Sequence, residues 1–296
     1  MLRSSANDKL VMDFAVYLTP TQTVVYQNSQ GIVLNRKTTP HEFVNLCKNL
    51  GLGKSSVIFC IPSSLTTEKI DEYKALAYEA GIARAEFVPS AVASAVEIGY
   101  TNSSEEAGGG ICISVFIGEF GTEVVVINDY GIIAGGTTAE GYAAAAEAVR
   151  VYLEKKYELN IDSVTAENAM KECQTLLSND EVSYKVRAAD GETGEAREVW
   201  FTGIECYKVL SPIYGKVAKA ILLAIDECAQ GISDAVKEGT VYVGGEANLP
   251  TGVREFFTVS TGMNIVLGSK GLNTAVSGAG KILSNEPLLS KIIKAN

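Results

Sequence analysis

The hydrophobic pattern predicts strands first. Residues 11–34, VMDFAVYLTPTQTVVYQNSQGIVL, read as three short strands: an apolar run to Leu18, a turn at Thr19-Pro20-Thr21-Gln22, a run from Thr23 to Tyr26, and a third from Gly31. Thr39-Pro40-His41-Glu42 is a capping box with proline at the first helical position, and Phe43, Leu46 and Leu50 follow at helical spacing. The continuous apolar run from Ser56 to Ile61 predicts a strand flanked by helices. Thr67 is placed to cap a helix with Ile70, Tyr73, Ala77 and Ala80 on one face, closed by Gly81. A short strand, Ala85 to Val88, and a small-residue helix, Ser90 to Ile98, complete an order that predicts an α/β lobe with parallel strands.

The polar, then glycine-rich stretch 101–110 reads as a linker between lobes. Beyond it, ICISVFIGEFGTEVVVI (111–127) is a hairpin about the turn Gly118-Glu119-Phe120-Gly121. Gly135-Gly136 and Gly141 lead into an alanine-rich helix, Tyr142 to Tyr157, followed by a helix near 165–177 and two strands, Glu181 to Ala188 and Ala196 to Thr202. Residues 203–230 predict a long helix interrupted at Pro212, with a stripe of Leu210, Ile213, Val217, Ile221, Ala224, Ile225 and Cys228. Thr240 to Val243 is a strand entering the segment Gly244 to Asn248, which either admits a ligand ring or merely turns the chain. A strand at Ile265 to Leu267 and helices at 272–283 and 287–294 close the chain. The first and second hairpins are alike at a spacing of about a hundred residues, which reads either as an internal duplication or as the ordinary likeness of two hairpins. The expected organisation is a first lobe of 1–107 plus 272–296 and a second of 108–271, with a small cap at about 145–203.

Composition narrows the function. The chain has 296 residues, 47% of them hydrophobic, enough for a sizeable core. Its formal charge of −10 offers no cationic surplus to displace counterions, so nucleic acid is not an expected partner. No apolar window has the length of a signal peptide or a membrane span, which makes the cytoplasm the expected location and direct membrane insertion unexpected. Six cysteines without a CxxC pair are expected to be buried free thiols, and with one histidine, His41, neither a His-rich zinc site nor a triad avoiding that residue can be built.

A glycine-containing turn between two strands holds phosphates in several ATPase folds, because backbone N–H groups then meet the ligand unobstructed. Here Glu119 and Phe120 stand at the tip, one to repel a phosphate and one to crowd it. The wider pattern resembles the rod-shape-determining bacterial actins, the MreB family of the actin, sugar-kinase and heat-shock-ATPase superfamily, from about Ala15 to Leu283. Val24-Val25-Tyr26 with Gly31-Ile32-Val33-Leu34-Asn35 resembles the segment just after that family's first phosphate loop, and IPSSLTTEKI is similar to its VPSGIT segment. Lys155-Lys156-Tyr157-Glu158-Leu159 with Thr165-Ala166-Glu167 resembles KKYNL…TAE. Val243-Gly244-Gly245 resembles the adenosine motif, and Gly278-Ala279-Gly280-Lys281 the C-terminal GAGK.

The resemblance implies an actin-like ATPase fold with two duplicated ribonuclease-H-like lobes, but only Arg36 to Thr39 stand where the family has a small subdomain in the first lobe. It also implies a nucleotide cleft whose chemistry is absent here. Tyr17, Val88 and Phe116 occupy the positions of three carboxylates, and Pro20 removes an N–H from the first loop. The degenerate nucleotide-binding set implied by the resemblance is Thr19, Thr21, Gln22, Gly118, Thr122, Glu172, Gly244 and Gly245, with Met170 in place of an adenine-contacting lysine. Pro20, Glu119 and Phe120 are expected to block the site. Hydrolysis in this superfamily needs carboxylates for Mg²⁺, a positioned water and backbone donors. The expectation is therefore a scaffold of actin-like fold without catalytic residues, metal or cofactor, its cleft apolar or filled by its own side chains, partnered by itself or another actin-like subunit. The alternatives are a filament former for cell shape or partitioning that takes ATP with magnesium in an altered mode, and a sugar-kinase-like phosphotransferase using Glu119 or Glu123. Glu123 otherwise reads as a solvated strand residue, and Gly244-Gly245 as a plain turn.

Overall fold

The computed structural model describes residues 14–18, 23–27, 30–34, 40–100, 110–269, 273–283 and 285–296. The chain begins with an antiparallel meander, β1 (Phe14–Leu18), β2 (Thr23–Gln27) and β3 (Gln30–Leu34). Helix α1 (Pro40–Asn49), β4 (Ser56–Ile61), α2 (Thr67–Glu79), β5 (Arg84–Pro89) and α3 (Ser90–Ile98) come next. They form a sheet of order β3-β2-β1-β4-β5, parallel from β1 through β4 to β5. The cap of α2 is Thr66 rather than Thr67, its side chain accepting from Lys69 N at 3.4 Å. Thr39 and the loop 19–22, with the expected site residues Thr19, Pro20, Thr21 and Gln22, lie outside the described residues, as does 101–109 of the expected linker.

The plan then repeats. A second meander comprises β6 (Ile111–Ile117), β7 (Thr122–Asn128) and β8 (Gly131–Thr138). Next come α4 (Tyr142–Tyr157), β9 (Leu159–Asn160), α5 (Ser163–Cys173), β10 (Ser183–Asp190), β11 (Ala196–Thr202) and α6 (Gly203–Asp226). The chain closes with α7 (Gln230–Lys237), β12 (Thr240–Gly245), α8 (Val253–Thr261), β13 (Asn264–Leu267), α9 (Thr274–Ile282) and α10 (Glu286–Ala295). The second sheet has the order β8-β7-β6-β12-β13, a meander extended by two parallel strands as in the first, so the likeness of the two hairpins extends to whole sheets. Among the described residues a small sheet, β11-β10-β9, belongs to the second half alone. Only residues 35–39 separate β3 from α1, which leaves no room for a counterpart in the first half.

Several elements differ from the sequence pattern for identifiable reasons. Gly135 and Gly136 lie inside β8; Gly135 has φ +102° and an added Cβ would sit 2.1 Å from Val124 O, beside a register shift at Val126/Ile127. A bulge there brings backbone against backbone. Helix α5 stops at Cys173 because Thr175 bridges to Thr251 and Leu176 N donates to Thr251 O at 2.7 Å. Pro212 does not interrupt α6, whose buried side chains Leu210, Tyr214, Val217, Ile221, Ala224 and Ile225 hold one continuous helix of 24 residues. Helices α7 and α8 are too short for a period to emerge from sequence, although left-handed Gly252 and Gly262 bracket α8.

Helices α3 and α9 lie between the two sheets. Ser90 to Val96 of α3 are all buried, and one apolar cluster joins Ala15, Tyr17 and Ile58 of the first sheet to Phe116, Val125 and Ile127 of the second through Val92 and Ala279. The outer face of the first sheet packs on α1 and α2 through Phe43, Phe59 and Tyr73, and that of the second on α4, α6 and α7. Five of the six cysteines are buried and all are free thiols. In the middle of α6, Gly215 has no atom within 4 Å of an added Cβ. Gly215→Ala is therefore expected to stabilise the protein by about 0.5–1 kcal/mol through backbone entropy. Urea titration checks this; an unchanged or lowered midpoint would show that the helix surface there is not free.

Candidate functional site

The β6–β7 turn closes on itself, Gly118 N donating to Gly121 O at 2.8 Å. Helix α4 then docks against it. Tyr142 N donates to Gly118 O (3.0 Å) and Ala143 N to Glu119 O (2.8 Å), so donors that a helix start leaves open are satisfied by the turn. The approach requires glycine at 141, where a Cβ would lie 2.5 Å from Gly118 O. A carboxylate of the chain itself completes the arrangement: Glu246 Oε1 accepts from Glu119 N at 3.0 Å and from the Tyr17 hydroxyl. Glu246 arrives there because β12 pairs with β6 as far as Gly245↔Ile117, and Glu246 N then donates to Ile117 O at 3.0 Å.

Tyr17, Val88 and Phe116, which stand where the family resemblance calls for carboxylates, are brought together in the central apolar cluster. The Tyr17 and Phe116 rings meet edge to face, centroids 5.7 Å apart. Burial, and after it the Glu246 carboxylate, push the Tyr17 phenol well above its ordinary range, so at neutral pH it is a donor. Glu123 is not solvated: it is buried, Oε2 accepts from Ser63 N at 2.8 Å, and burial is the main force pushing it up to about 7. Thr122 turns its hydroxyl inward to Glu140 O at 2.5 Å. Gly244 and Gly245 end a strand instead of forming a plain turn. A Cβ on Gly244 would lie 2.3 Å from both Ser94 Oγ and Thr274 Oγ1, and Gly245 N donates to Thr274 Oγ1 at 3.0 Å. The pair also borders a cavity of about 190 Å³ at the ends of β12 and β13.

An opening of about 940 Å³ lies between α4, α5 and the segment after β12, with Glu119, Tyr142, Met170, Glu172, Glu246 and Asn248 among its walls. Ala143, Ala146, Ala166, Ala247 and Met170 give part of its lining an apolar character. Its two cations are neutralised locally, Arg150 by Glu147 at 2.6 Å and Lys171 by Glu167 at 2.5 Å, so the charge that remains on its walls is that of Glu119, Glu172 and Glu246. Of the expected blocking residues, Glu119 faces this opening, whereas Phe120 is 56% exposed and does not line it. Among the described residues no group of three His, Cys, Asp or Glu side chains is arranged to hold a metal, and no helix is long and apolar enough to cross a membrane. Sequence reasoning missed Glu246, Ser63 and Tyr142 as members of the site; an acidic residue directly after the Gly244-Gly245 pair was the available signal.

Two sheets of identical topology, a helix pair between them, a cap on the second half and an opening beside the β6–β7 turn define an actin-like fold. The chain belongs to the MreB/Mbl protein family, whose sequence model matches residues 41–291. That range leaves out the first meander. Among solved structures, MreB5 of Spiroplasma citri bound to ADP superposes with TM-score 0.80 at 16% identity, covering 96% of this chain and 99% of that one. A non-polymerising MamK mutant bound to AMPPNP gives 0.68 at 13% identity (93% and 100% covered). The ethanolamine utilization protein EutJ from Carboxydothermus hydrogenoformans gives 0.56 at 17% (95% and 89%). At such identities the likeness is one of fold.

Proposed function

We propose that this chain is an actin-like scaffold that works by protein–protein assembly and neither hydrolyses ATP nor holds Mg·ATP at the β6–β7 turn. The observation that carries this reading is the seat of Glu246 on Glu119 N, which puts an internal anion where a phosphate oxygen would need a backbone donor. Two like charges 4 Å apart repel by about 4 kcal/mol at the effective dielectric of a protein surface. The neighbouring donors Gly118 N, Tyr142 N and Ala143 N are already bonded, and Tyr17, Val88 and Phe116 supply no carboxylate for a metal. These residues do not fit a magnesium-bound triphosphate.

The test is thermal unfolding with and without Mg·ATP, together with phosphate release. A ligand at a hundred times its Kd contributes about 2.7 kcal/mol, enough to raise Tm by several degrees. The expected result is a shift below about 1 °C and release at the buffer rate; a clear rise or measurable turnover would overturn the reading. Self-association is the expected mode of action, supported by membership of this family and by the fold shared with the MamK double helical filament at TM-score 0.68. Sedimentation without nucleotide, alone or with another actin-like subunit, is its readout. One observation favours a second reading, a filament former that takes a nucleotide in an altered mode: the opening of about 940 Å³ bordered by Glu172. Pelleting that requires ATP would select it.

A further inference from the structure

Two carboxylates of the second half reach across to the first. Glu246 accepts from the Tyr17 hydroxyl at the end of β1, and Glu123 of β7 accepts from Ser63 N just beyond β4. Glu123 also interacts with the Ala91 backbone at the start of α3, whose N-cap residue Pro89 provides no side-chain bond. These contacts join two sheets whose strands are not hydrogen-bonded to each other, and they need no ligand. We propose that Glu123 and Glu246 form a proton-controlled latch: with Glu123 protonated the chain's own bonds clasp the two halves, and ionisation of Glu123 lets them part.

The argument rests on what surrounds Glu123. Among the described residues the titratable groups acting on it are Tyr17 of β1, Cys60 of β4 and Glu246 after β12, none of which carries a positive charge. On its own sheet it lies beside Phe116 of β6 and Thr137 of β8. A carboxylate formed there is desolvated and faces a second carboxylate, and the Ser63 N–H, the Ser63 side chain and the Ala91 backbone, all of which favour the ionised form, do not outweigh burial. Opening the cleft would hydrate it. The closed form therefore binds the proton more tightly, with Glu123 at about 7 against an ordinary value of 4.5 when hydrated. Since the closed form holds the extra proton, it is favoured at low pH and lost as pH rises through 7. Between pH 6 and pH 8 the closed-to-open ratio falls about tenfold. Nothing in this depends on whether ATP binds.

The experiment measures the distance between spin labels at Ala75→Cys on α2 and Glu198→Cys on β11, both exposed positions, in a Cys228→Ser background without nucleotide. A longer-distance population is expected to grow from pH 6 to pH 8, the change levelling off above about pH 7, and Glu123→Gln to stay closed throughout. Tyr17→Phe, which keeps the ring and removes the hydroxyl bonded to Glu246, is expected to open at lower pH while keeping the pH dependence; it serves as the second arm should Glu123→Gln fail to fold. A ratio constant from pH 6 to pH 8 in the native sequence, a Glu123→Gln protein that tracks the native titration, or a Tyr17→Phe midpoint unmoved would each overturn the latch.

Discussion

Gly278→Ala will leave the chain without a stable fold, or destabilise it by more than about 3 kcal/mol. An added Cβ at 278 would lie 1.8 Å from Ala93 O, 2.6 Å from its carbonyl carbon and 3.2 Å from Glu97 N. All three are backbone atoms of α3, so no side chain can turn aside to make room. The helices cannot simply separate either. Ser94 Oγ and Thr274 Oγ1 share a hydrogen bond of 2.7 Å across the same contact, and both press on Gly244 of the second sheet. Domains of ordinary size are stable by about 5–15 kcal/mol, so this one methyl group removes a large share of the total. Urea unfolding of Gly278→Ala beside Gly215→Ala measures the difference. A Gly278→Ala midpoint equal to that of the native sequence would mean that α3 and α9 cross at a greater distance than described.

Glu205→Ala is expected to cost about 3 kcal/mol, because one buried carboxylate serves four partners. At the third position of α6 it closes a capping box, accepting from Thr202 N at 2.8 Å while Glu205 N donates to Thr202 Oγ1 at 3.4 Å. Its other oxygen accepts from Tyr157 at 2.8 Å and Tyr152 at 3.1 Å and pairs with Lys156. Burial alone would raise this carboxyl; the Lys156 ammonium, the Tyr157 hydroxyl and the Thr202 bonds outweigh it and hold it at about 2. The folded state thus releases the proton more readily than the unfolded chain. The stabilisation is complete above about pH 4.5 and disappears as pH falls towards 2. Melting curves from pH 7 to pH 2.5 should show Glu205→Gln less stable at neutral pH and converging on the native sequence in acid. Parallel curves would assign the stabilisation to other carboxylates.

Much of the fold is legible in the residues. Strands such as Ser56–Ile61 and the β6–β7 hairpin announce themselves by apolar runs, and the bounds of α3 are plain because Pro89 and Gly99 bracket a run of small residues. The family likeness gave the positions of Tyr17, Val88 and Phe116 through what should have stood there. Glu246 is not legible: its bond to Glu119 N depends on the register of β12 on β6, set between segments some 127 residues apart. Glu123 misleads for a related reason. A carboxylate opening the run TEVVVIN looks like an exposed end, and only the packing of α3 and the Ser63 segment against that strand makes it an interior residue. Phe120 shows the converse, since an aromatic at a turn tip points to a filled cleft in sequence and stands in solvent in the fold.

The slot between the sheets has a consequence for synthesis on the ribosome. Helix α3 is made early, yet its partner α9 does not exist until Thr274–Ile282 has been translated, and Ala275, Val276, Ala279 and Ile282 are the side chains that fill the space beside it. For most of its time as a nascent chain the polypeptide must carry an apolar furrow open to water. A product terminated before α9 would present that furrow permanently, a ready target for chaperones and proteases.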